Sequence, residues 1–129
     1  MERTALVNSF CSVMKDFLGD MYKSYPDNSL MMLQQATSAM MMTHPLGVVQ
    51  NFMICVDVYV EKILTKDDSF FLDGGLEKDL SGGEYSFLLE ELKKIAVIWK
   101  DPTTSKKTKE SIWKYLQVLV KVGKKVVVM

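Results

Sequence analysis

Histidine, cysteine, proline and glycine are all scarce in this chain of 129 residues, which contains one histidine, two cysteines, three prolines and seven glycines. A single histidine leaves no ligand set typical of a zinc site. Two cysteines without a Cys-x-x-Cys pattern are expected to be small buried residues of a reducing compartment. The few prolines and glycines exclude a collagen-like or low-complexity chain. We therefore expect no metal and no cofactor.

Long hydrophobic runs are also missing. The most apolar segment, residues 28–56, is interrupted by Gln34, His44 and Pro45 among other residues, so no stretch reaches the 18 or so apolar residues of a membrane span. The chain opens Met-Glu-Arg-Thr, without the basic region and apolar run of a signal peptide. These absences predict no signal peptide, no transmembrane segment and no membrane partner.

What is present is ordinary globular composition, with 48% hydrophobic and 25% charged residues. A chain of this size forms one domain and can bury roughly two-thirds of its unfolded surface. Apolar residues recur at steps of three and four, which is the spacing of amphipathic helices. The sequence therefore predicts an all-α fold, a single compact bundle of about five helices over residues 1–129.

The predicted helices have recognisable ends. They cover about 3–22, 28–43, 45–64, 84–99 and 106–122. Asn28 or Ser29 is expected to cap the second, and Pro45 suits the first position of the third. Gly123 is expected to end the last, with residues 126–128 as a short strand or a frayed end. A long acidic loop, 65–83, contains two Gly-Gly pairs and an apolar plug at 70–72 between the third and fourth helices.

Charge is balanced overall, with 16 basic and 16 acidic residues, but it is unevenly distributed. Residues 57–91 carry ten acidic groups against three lysines, and residues 93–129 carry ten lysines against Asp101 and Glu110. Two interpretations follow: the basic last helix lies near the acidic loop, or the lysines form a face for non-specific contact with nucleic-acid phosphates. The candidate nucleic-acid-binding residues are Lys93, Lys94, Lys100, Lys106, Lys107, Lys109, Lys114, Lys121, Lys124 and Lys125.

Charged residues are absent between residues 28 and 56. This segment contains no Asp, Glu, Lys or Arg and holds six of the ten methionines. An exposed helix face normally carries charge, so either the second and third helices are central in the bundle or a partner covers one face. Methionine suits adaptable apolar interfaces. The predicted interaction residues are Met31, Met32, Met41, Met42, Val49 and Met53.

The sequence contains no set of residues typical of a catalytic site. Asp67 and Asp68 do not begin a calcium loop, because Phe70 and Leu72 stand where oxygen ligands are needed. Adjacent acidic pairs such as Glu90-Glu91 are expected to be solvated. No nucleophile, base and orienting group occur together. We therefore expect that the protein is not an enzyme.

Several short segments resemble a group of small helical proteins of nucleocytoplasmic large DNA viruses, including algal and amoebal giant viruses. The segments are Phe17-Leu18-Gly19-Asp20 with Tyr25-Pro26-Asp27, His44-Pro45, Asp68-Ser69-Phe70-Phe71 with Asp79-Leu80, and Ile112-Trp113-Lys114-Tyr115-Leu116-Gln117 with Leu119. The resemblance implies a helical viral protein and transfers no active site. It also implies that five aromatic residues join the loop to the last two helices: Phe70, Phe71, Trp99, Trp113 and Tyr115.

The leading functional hypothesis is a non-catalytic interaction or structural protein of a large DNA virus, such as a minor virion component or an assembly factor. It would act in the host cytoplasm or the virion, with a protein partner or a second copy on the methionine-rich segment. Alternatives are a non-specific nucleic-acid-associated protein using the lysines, and a Bcl-2-like modulator of host signalling that captures an amphipathic helix. The last rests on analogy, because the chain lacks an Asn-Trp-Gly-Arg motif.

Overall fold

The computed structural model describes residues 2–72 and 86–128, apart from the side chains of Leu72 and Ser86. Within these ranges the regular secondary structure is entirely helical, which confirms the all-α class. The acidic, glycine-containing part of the predicted loop falls outside them. The helices are α1 (Glu2–Ser24), α2 (Asn28–Thr43), α3 (Pro45–Val56), a 3₁₀ turn (Asp57–Tyr59), α4 (Val60–Leu64), α5 (Ser69–Leu72), α6 (Ser86–Lys100) and α7 (Lys106–Val127).

Local capping chemistry sets the ends of α2 and α3. The N-cap of α2 is Asp27, not Asn28 or Ser29 as predicted, and its carboxylate accepts a hydrogen bond from the Ser29 backbone N–H at 2.6 Å. That bond lowers the pKa of Asp27, because it stabilises the charged form. His44 ends α2 and Pro45 opens α3, as predicted. The fixed φ and missing N–H of proline suit this first helical position.

Helix α3 lies among four other helices and contacts α1, α2, α6 and α7. Its buried residues are Val48, Val49, Phe52, Met53 and Val56. A helix with neighbours on several sides gains from apolar residues around much of its circumference. The buried residues of α3 are therefore apolar because they face neighbouring helices.

The third predicted helix, 45–64, is not continuous. A 3₁₀ turn at Asp57–Tyr59 separates α3 from α4, and Val56 before it has ψ near zero. Valine stands at 56, 58 and 60, and such β-branched residues have lowered helix propensity. The turn leaves Val56 and Ile63 both fully buried on either side. Burial of apolar residues on both sides of the turn therefore stabilises the fold more than an uninterrupted helix would.

Helix α7 continues through Gly123, which corrects the predicted end at that residue. A Cβ atom at Gly123 would overlap Sδ of Met53 and would lie 2.9 Å from Cγ of Met53 and 3.5 Å from Phe10 Cε2. Glycine is present because α1 and α3 approach α7 closely, and not because the chain reverses. Residues 126 and 127 are helical, with Val126 fully buried, so the predicted strand or frayed end is wrong there.

Aromatic side chains form a cluster where α5 lies against α6 and α7. Phe71 stacks on Trp99 with ring centroids 4.8 Å apart, and it also contacts Trp113 and Phe70. Phe70, Phe71, Trp99 and Trp113, four of the five aromatic residues singled out in the sequence, therefore lie in one cluster. Tyr115 does not: it stacks on Phe17 of α1 with centroids 4.8 Å apart and donates a hydrogen bond to Asp20.

Candidate interaction surface

The outer face of α2 is an uncharged stripe that other helices leave uncovered. Met32, Gln35, Ala39 and Met42 follow one another at steps of three, four and three, and all four are exposed. The side chains of Met32 and Met42 are the most prominent, at 66% and 83% exposure. Steps of three and four keep residues on one side of a helix. We call these four residues the α2 stripe.

The opposite side of α2 packs inward against α1, α3 and α6. Leu30, Thr37 and Met41 are its buried residues. Only this narrow side needs apolar residues for folding, because the remainder of the circumference is partly or fully exposed. Core packing therefore explains the apolar residues on the buried side of α3 but not the lack of charge along the α2 stripe.

The six interaction residues predicted from the sequence separate into two groups. Met41, Val49 and Met53 are buried in the core, which corrects their assignment to a surface. Met31 is half-buried at the edge of the stripe, and Met32 and Met42 are exposed. The prediction failed for the first three because helical spacing defines faces without stating which face a neighbour covers.

Two members of the stripe, Gln35 and Ala39, were not predicted. The signal for them was present, since both lie at steps of three or four between Met32 and Met42. Neither combines large size with apolar character, so neither indicates an interface by itself. Their position becomes informative only when the two flanking methionines are known to be exposed.

A buried carboxyl group lies between α2 and α6. Glu91 has 2% exposure and is hydrogen bonded to the Thr37 hydroxyl, which is itself 1% exposed. Burial raises the pKa of Glu91 to about 8, and the bond to Thr37 only partly opposes this shift. The expectation that Glu91 is solvated is therefore wrong. Its spacing from Leu88 and Ile95, three and four residues away, was the sequence signal of an inward position.

The number of donor protons available for the hydrogen bonds at this site also agrees with a neutral Glu91 carboxyl group. Thr37 Oγ1 also bonds the Leu33 carbonyl oxygen, at 2.9 Å. A hydroxyl has one proton to donate, so it cannot serve both this carbonyl and an ionised carboxylate. A protonated Glu91 removes the conflict by donating to Thr37 while Thr37 donates to Leu33. The raised pKa of Glu91 therefore favours a protonated carboxyl group at neutral pH.

The ten candidate lysines do not form one face. Lys93 pairs with Glu90 at 3.6 Å and Lys94 with Asp27 at 3.8 Å, both through α6. Lys109 lies over the Trp99 ring, 4.7 Å from its centroid.

The lysines of α7 include a linear array. Lys107, Lys114, Lys121 and Lys125 are all exposed and follow at steps of seven, seven and four. Lys106 and Lys124 are exposed on neighbouring sides of α7, and Lys100 is exposed at the end of α6. We call the first four residues the lysine row.

In the ranges that can be described, the predicted loop and the last helix form an ion pair whose signs are the reverse of those predicted. Lys66 of the loop pairs with Glu110 of α7 at 3.0 Å. Residues 73–85, which hold four of the acidic groups in that hypothesis, lie outside the described residues. The hypothesis that the acidic loop lies near the basic helix stays a prediction.

A second apolar area lies between the ends of α3 and α7. Ile54, with 71% exposure, and Val127 line an open groove with Met53 and Asp57. Unlike the α2 stripe, this groove has a charged residue in its wall. It supplies an exposed apolar position for control variants.

No cluster of three or more potential metal ligands from His, Cys, Asp and Glu occurs in residues 2–72 and 86–128. In the same ranges, none of the helices combines the length and the apolar character required to cross a membrane. Comparison with family models, curated proteins and solved structures gave no match. The α2 stripe must therefore be interpreted from its own chemistry.

Proposed function

We propose that this chain is a non-catalytic protein-interaction protein and that the α2 stripe is its contact surface. One observation carries the proposal: α2 exposes Met32 and Met42 along a face with no charged residue over its 16-residue length. Complete burial of one methionine side chain contributes about 1.5–3 kcal/mol. A partner helix that covers both methionines would therefore gain a stabilising contact without desolvating any charge.

The rigid setting of the stripe supports the same proposal. Asp27 caps the start of α2 and Pro45 fixes the turn at its end. Thr37 and Glu91 hold its inner side on α6. A surface on a fixed helix loses little conformational entropy when a partner binds, which favours affinity. Flexible methionine side chains on that fixed backbone suit an imperfectly matched apolar partner.

The test compares two exposed apolar positions on different faces. Tagged wild-type protein, Met42→Glu and Ile54→Glu are used for affinity capture from the cells in which the protein occurs, with half of each lysate treated with nuclease. We expect a nuclease-resistant protein partner that Met42→Glu loses and Ile54→Glu keeps. Equal capture by all three proteins would contradict the assignment of the α2 stripe. Circular dichroism establishes that each variant keeps the helical content of the wild type.

The viral resemblance extends this proposal to the class of partner. On that resemblance, we expect virion or assembly proteins of a large DNA virus among the captured partners, and a location in the host cytoplasm or the virion. The support for this part is the set of short resembling segments alone. Capture of unrelated housekeeping proteins only would count against it.

A second candidate function is non-specific association with nucleic acid through the lysine row. The observation in its favour is the exposure of four lysines along one side of α7. Lysine contacts with phosphates weaken as salt rises, because binding releases condensed counterions. Gel shifts at low and moderate salt test it with Lys114→Gln/Lys121→Gln as the variant. Absence of binding at low salt would exclude this function.

A further inference from the structure

We propose that the occupant of the α2 stripe is the α2 stripe of a second copy of this chain, packed antiparallel about a two-fold axis. In this arrangement Met32 of each copy contacts the partner's Met42. The inference rests on the proposed interaction function and specifies its partner. Its basis is the order of residues along the stripe.

The stripe is nearly the same when its positions are followed in either direction. Met32 and Met42 lie five residues on either side of Thr37, and Gln35 and Ala39 lie two residues on either side of it. A two-fold axis level with Thr37 therefore sets methionine against methionine at both ends. It also sets the long Gln35 against the partner's Ala39, whose small side chain leaves room for it. A two-fold contact uses the same patch on both copies, so a stripe with this symmetry is its natural component.

Charge supports the same occupant. Any charged residue near a two-fold axis meets its own copy, and like charges in contact oppose association. Residues 28–56 contain no Asp, Glu, Lys or Arg, so α2 meets no such repulsion. At the ends, antiparallel packing brings the acidic cap Asp27 to within about one helical turn of the partner's His44, which is exposed. Asp27 therefore approaches no acidic residue of the partner's α2.

The size of the stripe limits the strength of the dimer. A helix of 16 residues is about 24 Å long, and one side of it covers less than the roughly 800 Å² per partner of a standard stable interface. We therefore expect a dissociation constant on the order of tens to hundreds of micromolar, unless neighbouring helices extend the contact. The concentration range of the experiment must include these values.

The experiment is sedimentation equilibrium of the full chain over a wide concentration range. Its proteins are the wild type, Met32→Lys, Met42→Glu, the double variant Met32→Lys/Met42→Glu and the control Ile54→Glu. All three substituted positions are exposed, so folding is expected to persist, and circular dichroism verifies it. We expect the average mass of the wild type to rise from 14.7 kDa towards twice that value.

Each single variant is expected to weaken association about tenfold or more, since it places one unpaired charge at each end of the contact. The double variant is expected to recover association to within a few fold of the wild type, because each new lysine then meets the partner's new glutamate. A parallel dimer would instead bring lysine to lysine and glutamate to glutamate. The control Ile54→Glu is expected to associate like the wild type.

Three results would overturn the inference: a wild-type protein that stays monomeric at all concentrations, a double variant no stronger than the single ones, or dissociation caused by Ile54→Glu. Its failure is distinguishable from failure of the proposed function. A monomeric wild type whose Met42→Glu variant loses a captured protein would retain the interaction function with a different occupant. A two-fold dimer without any other captured protein would identify self-association as the function of the stripe.

Discussion

Replacement of Glu91 by glutamine tests whether the α2–α6 contact stores a proton. Glutamine has nearly the same size, stays neutral at every pH and can donate its amide N–H to Thr37 as the protonated carboxyl group does. The difference in unfolding free energy between wild type and Glu91→Gln therefore isolates the ionisation of one group. Groups that titrate alike in both proteins contribute equally to both stabilities and cancel.

The expected magnitude follows from the two pKa values of Glu91. Its ordinary value is 4.5 and burial raises it to about 8 in the folded protein. Between these values the unfolded chain has released the proton and the folded chain has kept it. The folded state is therefore favoured most below pH 4.5, and its stability falls by about 1.4 kcal/mol per pH unit as the pH rises towards 8.

For the variant this means that Glu91→Gln gains relative to the wild type as the pH increases. The stability difference is expected to grow by about 2–3 kcal/mol between pH 5 and pH 7, and to level off above pH 8 near 5 kcal/mol. The sign is opposite to that of an ordinary paired carboxylate, whose contribution to stability is lost in acid.

The assay is urea unfolding followed by helical circular dichroism at pH 5, 6, 7 and 8, with Glu90→Gln as the control. Glu90 is adjacent but its side chain is 55% exposed and paired with Lys93, so its replacement is expected to change stability by less than about 1 kcal/mol at each pH. A Glu91→Gln difference that stays constant from pH 5 to pH 8 would refute a protonated Glu91.

Three further substitutions test the packing of the bundle by denaturant unfolding. Gly123→Ala is expected to destabilise the protein by about 1–2 kcal/mol, because the new Cβ meets the Met53 side chain. In a Met53→Ala background the same substitution is expected to stabilise the protein by about 1 kcal/mol, since alanine favours a helix over glycine. The same sign in both backgrounds would contradict this reasoning. Phe71→Ala is expected to cost about 3–5 kcal/mol, because it leaves a cavity in the aromatic cluster, and a loss under 1 kcal/mol would mean that α5 does not pack there. Ser105→Ala is expected to cost about 1 kcal/mol, because Ser105 Oγ accepts the Thr108 N–H at 3.1 Å as the N-cap of α7, and Ser105→Asp should keep most of that stability.

The starts of the helices were largely predictable because their signals are local. Pro45 opens α3 and the break before Lys106 lies where the sequence places it. Even the error at the start of α2 is a matter of one residue, since Asp27 caps instead of Asn28. Capping depends on side chains within three or four residues of the helix end, and these are adjacent in sequence.

The end of α7 was less predictable, because a glycine such as Gly123 can either end a helix or permit close approach of another helix. The sequence does not distinguish these two roles. A glycine near the end of an apolar pattern usually marks a C-cap. Here Met53 and Phe10, which are distant in sequence, occupy the space of its missing side chain. The end of a helix therefore depends on tertiary packing when the same residue also permits close approach of helices.

The sequence by itself determined the all-α class, the spacing of the helices and the absence of charge from residues 28–56. Tertiary structure decided the consequences: it buried Met41 and Met53, exposed Met32 and Met42, and enclosed Glu91 beside Thr37. The physical reason is that helical periodicity defines which residues share a face, whereas burial depends on which distant helix covers that face. The α2 stripe became visible only when the packing of α3 against neighbouring helices accounted for one part of the uncharged segment and left the other part exposed.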